Sequence, residues 1–392
     1  MISVEQAKKL IKEHTIALAP VKLKLQDASE HTLAADIYAN FDIPAFRQSS
    51  MDGYAIMFDD KEVELELIGE MAAGTGHSIT IQKGQTSRIF TGAPLPEGAD
   101  AVVMQEKIIQ TDNKITIRDE KLSVGLNVRE KGSEIKSGAL AIEKDALLSP
   151  AAIGFLAGIG VTEVEVYPMP RVSIIITGNE LQQPGLALNF GQVYESNSYS
   201  LSAALKKEGV YNIEILTAED NLETLTKVIE SALQNSDLVL LNGGVSVGDY
   251  DFVTKAANAC GIEQIFHKVK QKPGKPLFFG KKNNQLVFGL PGNPSSVLSC
   301  YYNYVLPALK MLSNKENSVV EVNAELTHNY KKPTGLTHFL KGQFANGKAT
   351  PLNAQESYRL SSFAQANCLI CLNEEQEIFN AGGAVKVLLL PN

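Results

Sequence analysis

The sequence predicts a multidomain fold of the α/β plus β class, with a central α/β domain, an inserted small β domain and a C-terminal β-barrel-like domain. The length of 392 residues predicts two to three domains. From about residue 170 onward, short apolar runs alternate with helical patterns, which indicates a mainly parallel sheet. Two other regions, 54–128 and 316–392, carry short strands separated by turn residues and indicate β domains.

The expected boundaries follow from these changes in pattern. They are 1–47 with 128–168 for a discontinuous first domain, 48–127 for the inserted β domain, 169–315 for the α/β domain and 316–392 for the barrel-like domain.

The first region is predicted to contain two helices. Residues 2–15 have an amphipathic pattern, with Ser3 as a candidate N-cap and Gln6 three residues later. The longest apolar stretch, Ser149 to Val161, is too short to span a bilayer and is interpreted as a buried helix.

In the inserted domain, strands are expected at Val63–Ile68, Ser87–Phe90, Ala101–Lys107 and Lys114–Ile117. The Pro/Gly-rich segment Phe90–Asp100 is either a functional loop or a plain connector.

The α/β domain is predicted from a regular succession of elements. Strands are expected at Arg171–Thr177, Asn212–Leu216 and Leu238–Leu241, a hairpin at Leu277–Phe279 and Gln285–Phe288, and helices at Asn197–Gly209, Leu222–Gln234, Phe252–Cys260 and Pro294–Leu312. The last domain is expected to contain strands at Val319–Leu326, His338–Phe344, Cys368–Leu372 and Ala384–Leu390.

A strand, a glycine loop and a helix start follow one another at 237–252, which is the order that presents backbone N–H groups to an anion. The candidate binding residues of this loop are Gly243, Gly244, Ser246 and Gly248. Asp249 and Asp251 in the same loop suit a phosphate ligand if Mg²⁺ lies between the negative groups. The alternative is a tight turn with solvated acids, since the loop matches neither common nucleotide motif.

Acidic residues follow three predicted strands of the α/β domain. Glu180, Asp220 and the pair Asp249 and Asp251 all fall at carboxyl ends of strands. Because ligands bind at that edge of a parallel sheet, this convergence favours a site for metal and phosphate.

A lysine-rich segment supplies positive charge in an otherwise acidic chain. It contains Lys268, Lys270, Lys272 and Lys275 around a Pro-Gly turn. Four lysines in eight residues favour an anion site, and the alternative is a solvated edge strand. Further along, a sharp turn into a helix contains Pro291, Gly292, Asn293 and Ser295, and is interpreted either as a ligand-facing helix start or as an ordinary one.

The net charge of −8 and the pI of about 5.4 argue against a nucleic-acid or membrane-surface binder. The N-terminus does not have the pattern of a signal peptide. Four scattered cysteines favour a reducing compartment, so a cytoplasmic location is expected.

Six motifs together resemble the molybdopterin molybdenumtransferase family, which includes the counterpart gephyrin E domain. In family order they are Gln48–Ala55, Thr91–Pro96, Thr177–Leu181, Asn242–Asp251, Lys272–Pro276 and Leu290–Ser296. The resemblance covers essentially the whole chain.

This resemblance implies an enzyme that inserts molybdate into adenylated molybdopterin and releases AMP with the help of Mg²⁺, the final step of molybdenum cofactor biosynthesis. It also implies four domains, the first of them elongated, and a homodimer with its active cleft shared between subunits. The molybdopterin adenylyltransferase is the partner that it implies for substrate delivery.

Residue roles are carried over from the resemblance. Metal and phosphate contacts are assigned to Asp220, Asp249, Asp251 and Glu180, oxyanion contacts to Lys268 and Lys272, nucleotide or pterin contacts to Asn293, Ser295 and Ser357, and contributions from the partner subunit to Asp52, Thr91 and Glu134. Lys275, Pro291 and Gly292 are expected beside the bound substrate.

The chain departs from the family pattern at four positions. Ser133 and Glu134 replace Glu-Asp, Asn179 replaces Asp, and Lys341 replaces Arg before Gly342. Two alternative functions therefore stay open. The first is a non-catalytic molybdopterin-binding or scaffold module, which the changes at 133, 134 and 179 favour. The second is an adenylyltransferase that acts on molybdopterin itself.

Overall fold

The computed structural model describes residues 1–244 and 252–391, and it divides into two compact units. The smaller unit comprises residues 22–29 and 33–164, and the larger comprises 1–21, 30–32 and 165–392. The chain passes between the units four times: within the strands Val21–Lys24, Thr32–Leu33 and Glu163–Tyr167, and between residues 29 and 30. The finer division into four domains stays a prediction.

The smaller unit is built on a six-stranded sheet with an apolar cluster on each face. In spatial order its strands are Ala101–Met104, Gly53–Ile56, Gln85–Ile89, Leu65–Met71, Lys114–Ile117 and Ile108–Thr111. Tyr54 and Ile56 pack into one cluster and Ala55 into the other, as the alternation along a strand requires. The predicted β domain is present, although Gln105–Lys107 forms a 3-10 turn rather than the end of a strand.

Two ladders of short strands lie in the same unit. Gln48–Ser49 pairs with Val128–Arg129, and Ile37–Tyr38 pairs with Leu140–Ile142.

The apolar stretch after Ser149 forms the helix Pro150–Gly158, which Ser149 caps by accepting a hydrogen bond from the Ala152 N–H at 3.2 Å. The expectation that this helix is buried is wrong for the described chain, because Leu156 is its only buried residue. One face packs on the turn Leu25–Asp27. An apolar run without periodicity gave no sign of which faces would be covered.

The larger unit contains the expected mainly parallel sheet. Its strands in spatial order are Ile213–Ala218, Val172–Thr177, Leu238–Asn242, Gln285–Leu290, Phe278–Lys282 and Glu263–His267, of which the first four are parallel and the last two pair antiparallel. Ile174 and Ile176 pack on one face of this sheet and Ile175 on the other, so the central strands are apolar throughout.

Helices cover both faces of this sheet. They are Val4–His14, Asn197–Lys207, Leu222–Asn235, Phe252–Ala259, Pro294–Cys300 and Leu306–Leu312. The last two are joined by a π-helix at Tyr301–Val305, so the predicted long helix is one helical stretch with a widened middle. Ser3 caps the first helix, as its sequence predicts.

The C-terminal region contains a closed five-stranded barrel, which confirms the barrel-like prediction. In order around the barrel the strands are Thr337–Ala345, Lys348–Pro351, Val320–Leu326, Ala384–Leu389 and Cys368–Leu372, and the last pairs with the first. The short strand Gln271–Lys272 adds to the edge of Thr337–Ala345 and places Lys272 opposite His338.

The larger unit also contains two pairs of short strands: Leu181–Gln182 with Val193–Tyr194, and Tyr330–Lys331 with Ile378–Phe379. Within residues 1–244 and 252–391, none of the helices combines the length and the apolar character needed to cross a bilayer.

Candidate active site

A cleft of about 890 Å³ opens at the carboxyl ends of the parallel strands in the larger unit. Its walls come from the segments that follow the four parallel strands of the sheet, from the lysine-rich turn and from the loop before Tyr358 of the C-terminal region. The location is the one that the alternating strand and helix pattern predicts for ligand binding.

Ten of the predicted site residues line this cleft together. They are Glu180, Asp220, Gly243, Gly244, Lys272, Lys275, Pro291, Gly292, Asn293 and Ser357. Two carboxylates and two ammonium groups therefore face one space. Lys268 and Ser295 do not line it. Ser246, Gly248, Asp249 and Asp251 lie outside the described residues.

The floor of the cleft has space only for glycine. Gly243 has a φ of +95°, and a Cβ added there would lie 2.5 Å from the carbonyl oxygen of Thr177. Gly244 follows with a φ of +64°. The backbone thus approaches the neighbouring strand end without a side chain between them, as a loop that presents its N–H groups to a ligand requires.

Two buried polar atoms beside this floor have no hydrogen-bond partner among the described residues. They are the hydroxyl oxygen of Thr177 and the side-chain carbonyl oxygen of Asn197, and both residues line the cleft. A buried polar atom left without a partner costs free energy, so these atoms favour a polar ligand that supplies the missing hydrogen bonds.

Asn197 and Asn242 hold the turn at 291–293, and sequence reasoning assigned neither a role. The Asn197 amide donates to the side-chain oxygen of Asn242 and to the carbonyl of Gly292, both at 2.8 Å. Asn242 in turn donates to the carbonyl of Pro291 at 3.4 Å. The sequence contains one signal for Asn242, which is the last residue of a buried strand immediately before the glycines. It contains no comparable signal for Asn197.

The turn that carries Lys272 and Lys275 stands on buried side chains. Gln271 donates to the carbonyl of Gly274 at 2.9 Å and accepts a hydrogen bond from the Tyr304 hydroxyl. Gln271 and Tyr304 are 2% and 1% exposed, so neither hydrogen bond competes with bulk water. A Cβ on Gly274 would lie 2.5 Å from the Cys300 sulfur, so the turn fits closely over this support.

Asn293 and Ser357 meet across the cleft wall. The Asn293 amide donates to the Ser357 hydroxyl at 2.9 Å, and the Ser295 backbone N–H donates to the Ser357 carbonyl at 3.0 Å. Ser295 is fully buried, so its backbone, rather than its hydroxyl, contributes to this corner.

Lys341, at a position where the family commonly has Arg, is almost completely buried and does not line the cleft. Its ammonium group donates to the carbonyls of Ala354, Glu356 and Arg359 at 2.8, 3.3 and 3.0 Å. It therefore ties together the loop that carries Ser357. Burial lowers the pKa of Lys341. Asn179, where a charge is lost, is exposed and is also absent from the cleft wall.

The described carboxylates of the cleft suit Mg²⁺. Glu180 and Asp220 provide carboxylate oxygens, the ligands that Mg²⁺ prefers. Within 1–244 and 252–391 there is no cluster of three or more acidic, histidine or cysteine side chains that would hold a metal by itself. The predicted set also includes Asp249 and Asp251, which are not described.

In the smaller unit, Asp52 and Thr91 form a preset pair. The Thr91 N–H and hydroxyl both donate to one carboxylate oxygen of Asp52, each at 2.8 Å. These two hydrogen bonds lower the pKa of the Asp52 carboxyl, the backbone one most. Glu134 is exposed, and its backbone N–H donates to the carbonyl of Ile43. Both acids are available for a ligand or a second chain.

Three family models match successive parts of the chain. The MoeA N-terminal region (domain I and II) matches residues 2–160, a probable molybdopterin binding domain matches 173–311, and the MoeA C-terminal region (domain IV) matches 323–390. Two crystal structures of the molybdopterin biosynthesis MoeA protein from Pyrococcus horikoshii superpose with TM-scores of 0.85 and 0.77 at 29% identity, each over 99% of this chain.

Relatives named molybdopterin molybdenumtransferase are similar over the whole length. That of Staphylococcus epidermidis is 34% identical over 99% of this chain and 95% of its own, and that of Haemophilus influenzae is 32% identical over 99% and 98%. The chain therefore belongs to the molybdopterin molybdenumtransferase family and is a transferase of molybdenum cofactor biosynthesis.

Proposed function

We propose that this enzyme inserts molybdate into adenylated molybdopterin and releases AMP in a Mg²⁺-dependent reaction. The observation that supports this proposal most is the cleft in which Glu180, Asp220, Lys272 and Lys275 surround a glycine floor. A substrate with a phosphoanhydride and an oxyanion needs both kinds of charge. Cleavage of such a bond depends on positioning and on neutralisation of negative charge.

The residues divide between the two substrates. Lys272 holds the molybdate oxyanion, because this exposed residue lines the cleft, and Lys268 is proposed to assist it. The Gly244 N–H donates to the phosphates, whereas that of Gly243 already donates to the carbonyl of Leu290 at 3.4 Å. Asn293 and Ser357, which are hydrogen-bonded to each other, bind the nucleotide or pterin end.

Glu180 and Asp220, with Asp249 and Asp251, are proposed to hold Mg²⁺. Neutralisation of the charge that develops on the leaving phosphate is the chemistry that the bound ion supplies. Without the ion, these carboxylates and the phosphates would repel each other.

The active cleft is proposed to be completed in a homodimer. Asp52, Thr91 and Glu134 would then reach the substrate from the partner subunit. The two hydrogen bonds that fix the Asp52 carboxylate suit such a role, because they orient it before a ligand arrives. Adenylated molybdopterin is proposed to be delivered by the molybdopterin adenylyltransferase.

An AMP-release assay with adenylated molybdopterin, Mg²⁺ and molybdate tests the reaction. Release that requires molybdate supports the proposal. Tight binding of the substrate without AMP release would instead identify a scaffold module. Consumption of ATP with free molybdopterin would identify an adenylyltransferase.

Substitution of Asp220 tests the metal assignment. Asp220→Asn removes one charge with little change of shape, and AMP release is expected to fall by at least about a hundredfold. Glu219→Gln is the matched control, since the neighbouring acid does not line the cleft. Equal rates for the two variants would remove Asp220 from the proposed mechanism.

Substitution of Lys272 tests the oxyanion contact. Lys272→Ala is expected to raise the molybdate concentration needed for half-maximal rate more than it lowers the rate at saturating molybdate. Lys270→Ala is the control, because Lys270 does not line the cleft and approaches Glu374 at 3.9 Å. A fall in the saturated rate alone would contradict the proposed contact.

A further inference from the structure

A second cavity lies in the larger unit, outside the active cleft. Its volume is about 370 Å³, within the range of small-molecule sites. The walls come from the helix Val4–His14, the helical stretch after Tyr301, the segment 315–321 and the barrel strand Ala384–Leu389. None of its lining residues lines the active cleft.

Much of the cavity wall is apolar. Ile11, Tyr302, Tyr304, Val319 and Leu388 contribute rings and aliphatic groups. An apolar wall of this kind takes up the body of an organic molecule, since contact removes its surface from water.

The charged groups at the cavity are strongly unbalanced. Four lysines line it against one acid, although the protein as a whole has a net charge of −8. Lys8 pairs with that acid, Glu321, at 3.0 Å, and Lys310 pairs with Glu208. Lys12 and Lys315 have no carboxylate within ion-pair distance among the described residues. The cavity therefore has two cations without a partner and attracts an anion.

Asn303 adds a third feature, because its side-chain amide donates to the carbonyl of Ser299 at 2.9 Å while its oxygen has no partner among the described residues. The residue is 2% exposed and lines the cavity. Such a buried acceptor needs a donor, and a ligand with an N–H or O–H group would supply one.

We propose that this cavity is a binding site for an organic anion with an apolar body, one acidic group and one N–H or O–H donor. The acidic group pairs with Lys315 and Lys12. The apolar body lies against Tyr302 and Tyr304, and the donor reaches Asn303.

The probe 1-anilinonaphthalene-8-sulfonate has all three features. We expect fluorescence titration to show one tight site per chain. Lys315→Met is expected to raise its Kd about tenfold through loss of a charged partner, and the exposed Lys12→Met to raise it less. Lys9→Met is the matched control. Lys9 lies on the same helix as Lys12, but outside the cavity and beside Glu13. Equal affinities for Lys315→Met and Lys9→Met would overturn the proposal.

A neutral analogue separates charge from packing. N-phenyl-1-naphthylamine lacks the sulfonate, so its Kd is expected to be the same for wild type and Lys315→Met. Weakening as large as that of the sulfonate would show that the lysine acts on the shape of the cavity, which contradicts the ion pair. AMP is expected not to displace the sulfonate, and displacement would place the probe in the active cleft instead.

The pH dependence gives an independent readout. Burial, and after it the charge of Lys310, lowers the pKa of Lys315 from 10.5 to about 8, while Glu30 and Glu208 act in the opposite direction. The sulfonate keeps its charge, so its Kd is expected to rise between pH 7 and pH 9 as Lys315 loses its proton. Lys315→Met should lack this rise, and a rise of the same size in that variant would exclude Lys315 as the cationic partner.

Discussion

At the scale of single residues, His338 has a charge state that folding changes within an accessible pH range. The residue is 5% exposed and lies opposite Lys272 in the barrel edge. Burial, followed by the charges of Lys332 and Lys272, lowers its pKa from 6.5 to about 4. The unfolded chain therefore takes up a proton below pH 6.5 that the folded chain does not accept until about pH 4.

This difference predicts that stability falls as the pH drops from 6.5 toward 4, and that the full contribution is present above pH 6.5. Each pH unit in that window costs up to about 1.4 kcal/mol, so about 2 kcal/mol is expected to be lost between pH 7 and pH 5. Urea unfolding at both pH values measures the loss. His338→Gln should lose about 2 kcal/mol less than wild type, and an equal loss in both would disprove the assignment.

Single-residue roles were predictable where the cause is local. The cap by Ser3 depends on residues three positions apart, and the structure has it. Lys341 shows the opposite case, because its three acceptor carbonyls lie 13 to 18 positions away in a loop without regular structure. The sequence identified the position as a departure from the family, and only the fold shows what the amine does there.

At the scale of elements, the turn that carries Lys272 and Lys275 depends on the helical stretch beneath it. The Tyr304 hydroxyl holds Gln271, and Gln271 holds the carbonyl of Gly274. Tyr304→Phe leaves Gln271 with an unsatisfied oxygen, at an expected cost of about 1–3 kcal/mol. Amide hydrogen exchange in the turn is expected to become faster, and the molybdate requirement to rise.

The same π-helix supplies the control for this prediction. Tyr301 is also buried, but its hydroxyl has no hydrogen-bond partner among the described residues. Tyr301→Phe is therefore expected to leave exchange in the turn unchanged and to cost little stability. Comparable exchange rates in the two variants would show that the Tyr304 hydrogen bond does not support the turn.

The bounds of two strands were predicted well, whereas the burial of one helix was not. The strands Lys114–Ile117 and Cys368–Leu372 have their expected bounds. The helix Pro150–Gly158 was expected in about the right place but with the wrong burial. Its uniformly apolar residues do not distinguish a covered face from an open one, and that information lies in the tertiary packing.

At the scale of the whole molecule, candidate site residues lie in both compact units. Asp220 and Lys272 belong to the larger unit, and Asp52 and Thr91 to the smaller. The convergence within the larger unit was predictable, because parallel strands end at one edge of a sheet. Contributions from a second chain have no such local rule and came from the family resemblance alone. Whether the two groups of residues act in one cleft, and from which subunits, therefore needs a separate test.

Mixed dimers provide that test. Asp52→Asn and Asp220→Asn are each expected to be inactive as homodimers. If each cleft takes Asp52 from one subunit and Asp220 from the other, a dimer with one variant of each kind contains one cleft with both substitutions and one with neither. Co-expression with two affinity tags isolates this species. Its AMP release is expected to be about half that of wild type, because one of two clefts is intact.

The mixed-dimer experiment requires that the protein is a dimer, and light scattering tests this. The mass in solution should be twice that of the 42.5 kDa chain. The double variant Asp52→Asn/Asp220→Asn paired with wild type is the control, because each of its clefts then contains one substitution and no activity is expected. Activity in this control together with an inactive mixed dimer would mean that both acids of a cleft come from the same chain. The proposal of a shared cleft would then have to be abandoned, whereas the metal and oxyanion assignments within the larger unit would stand.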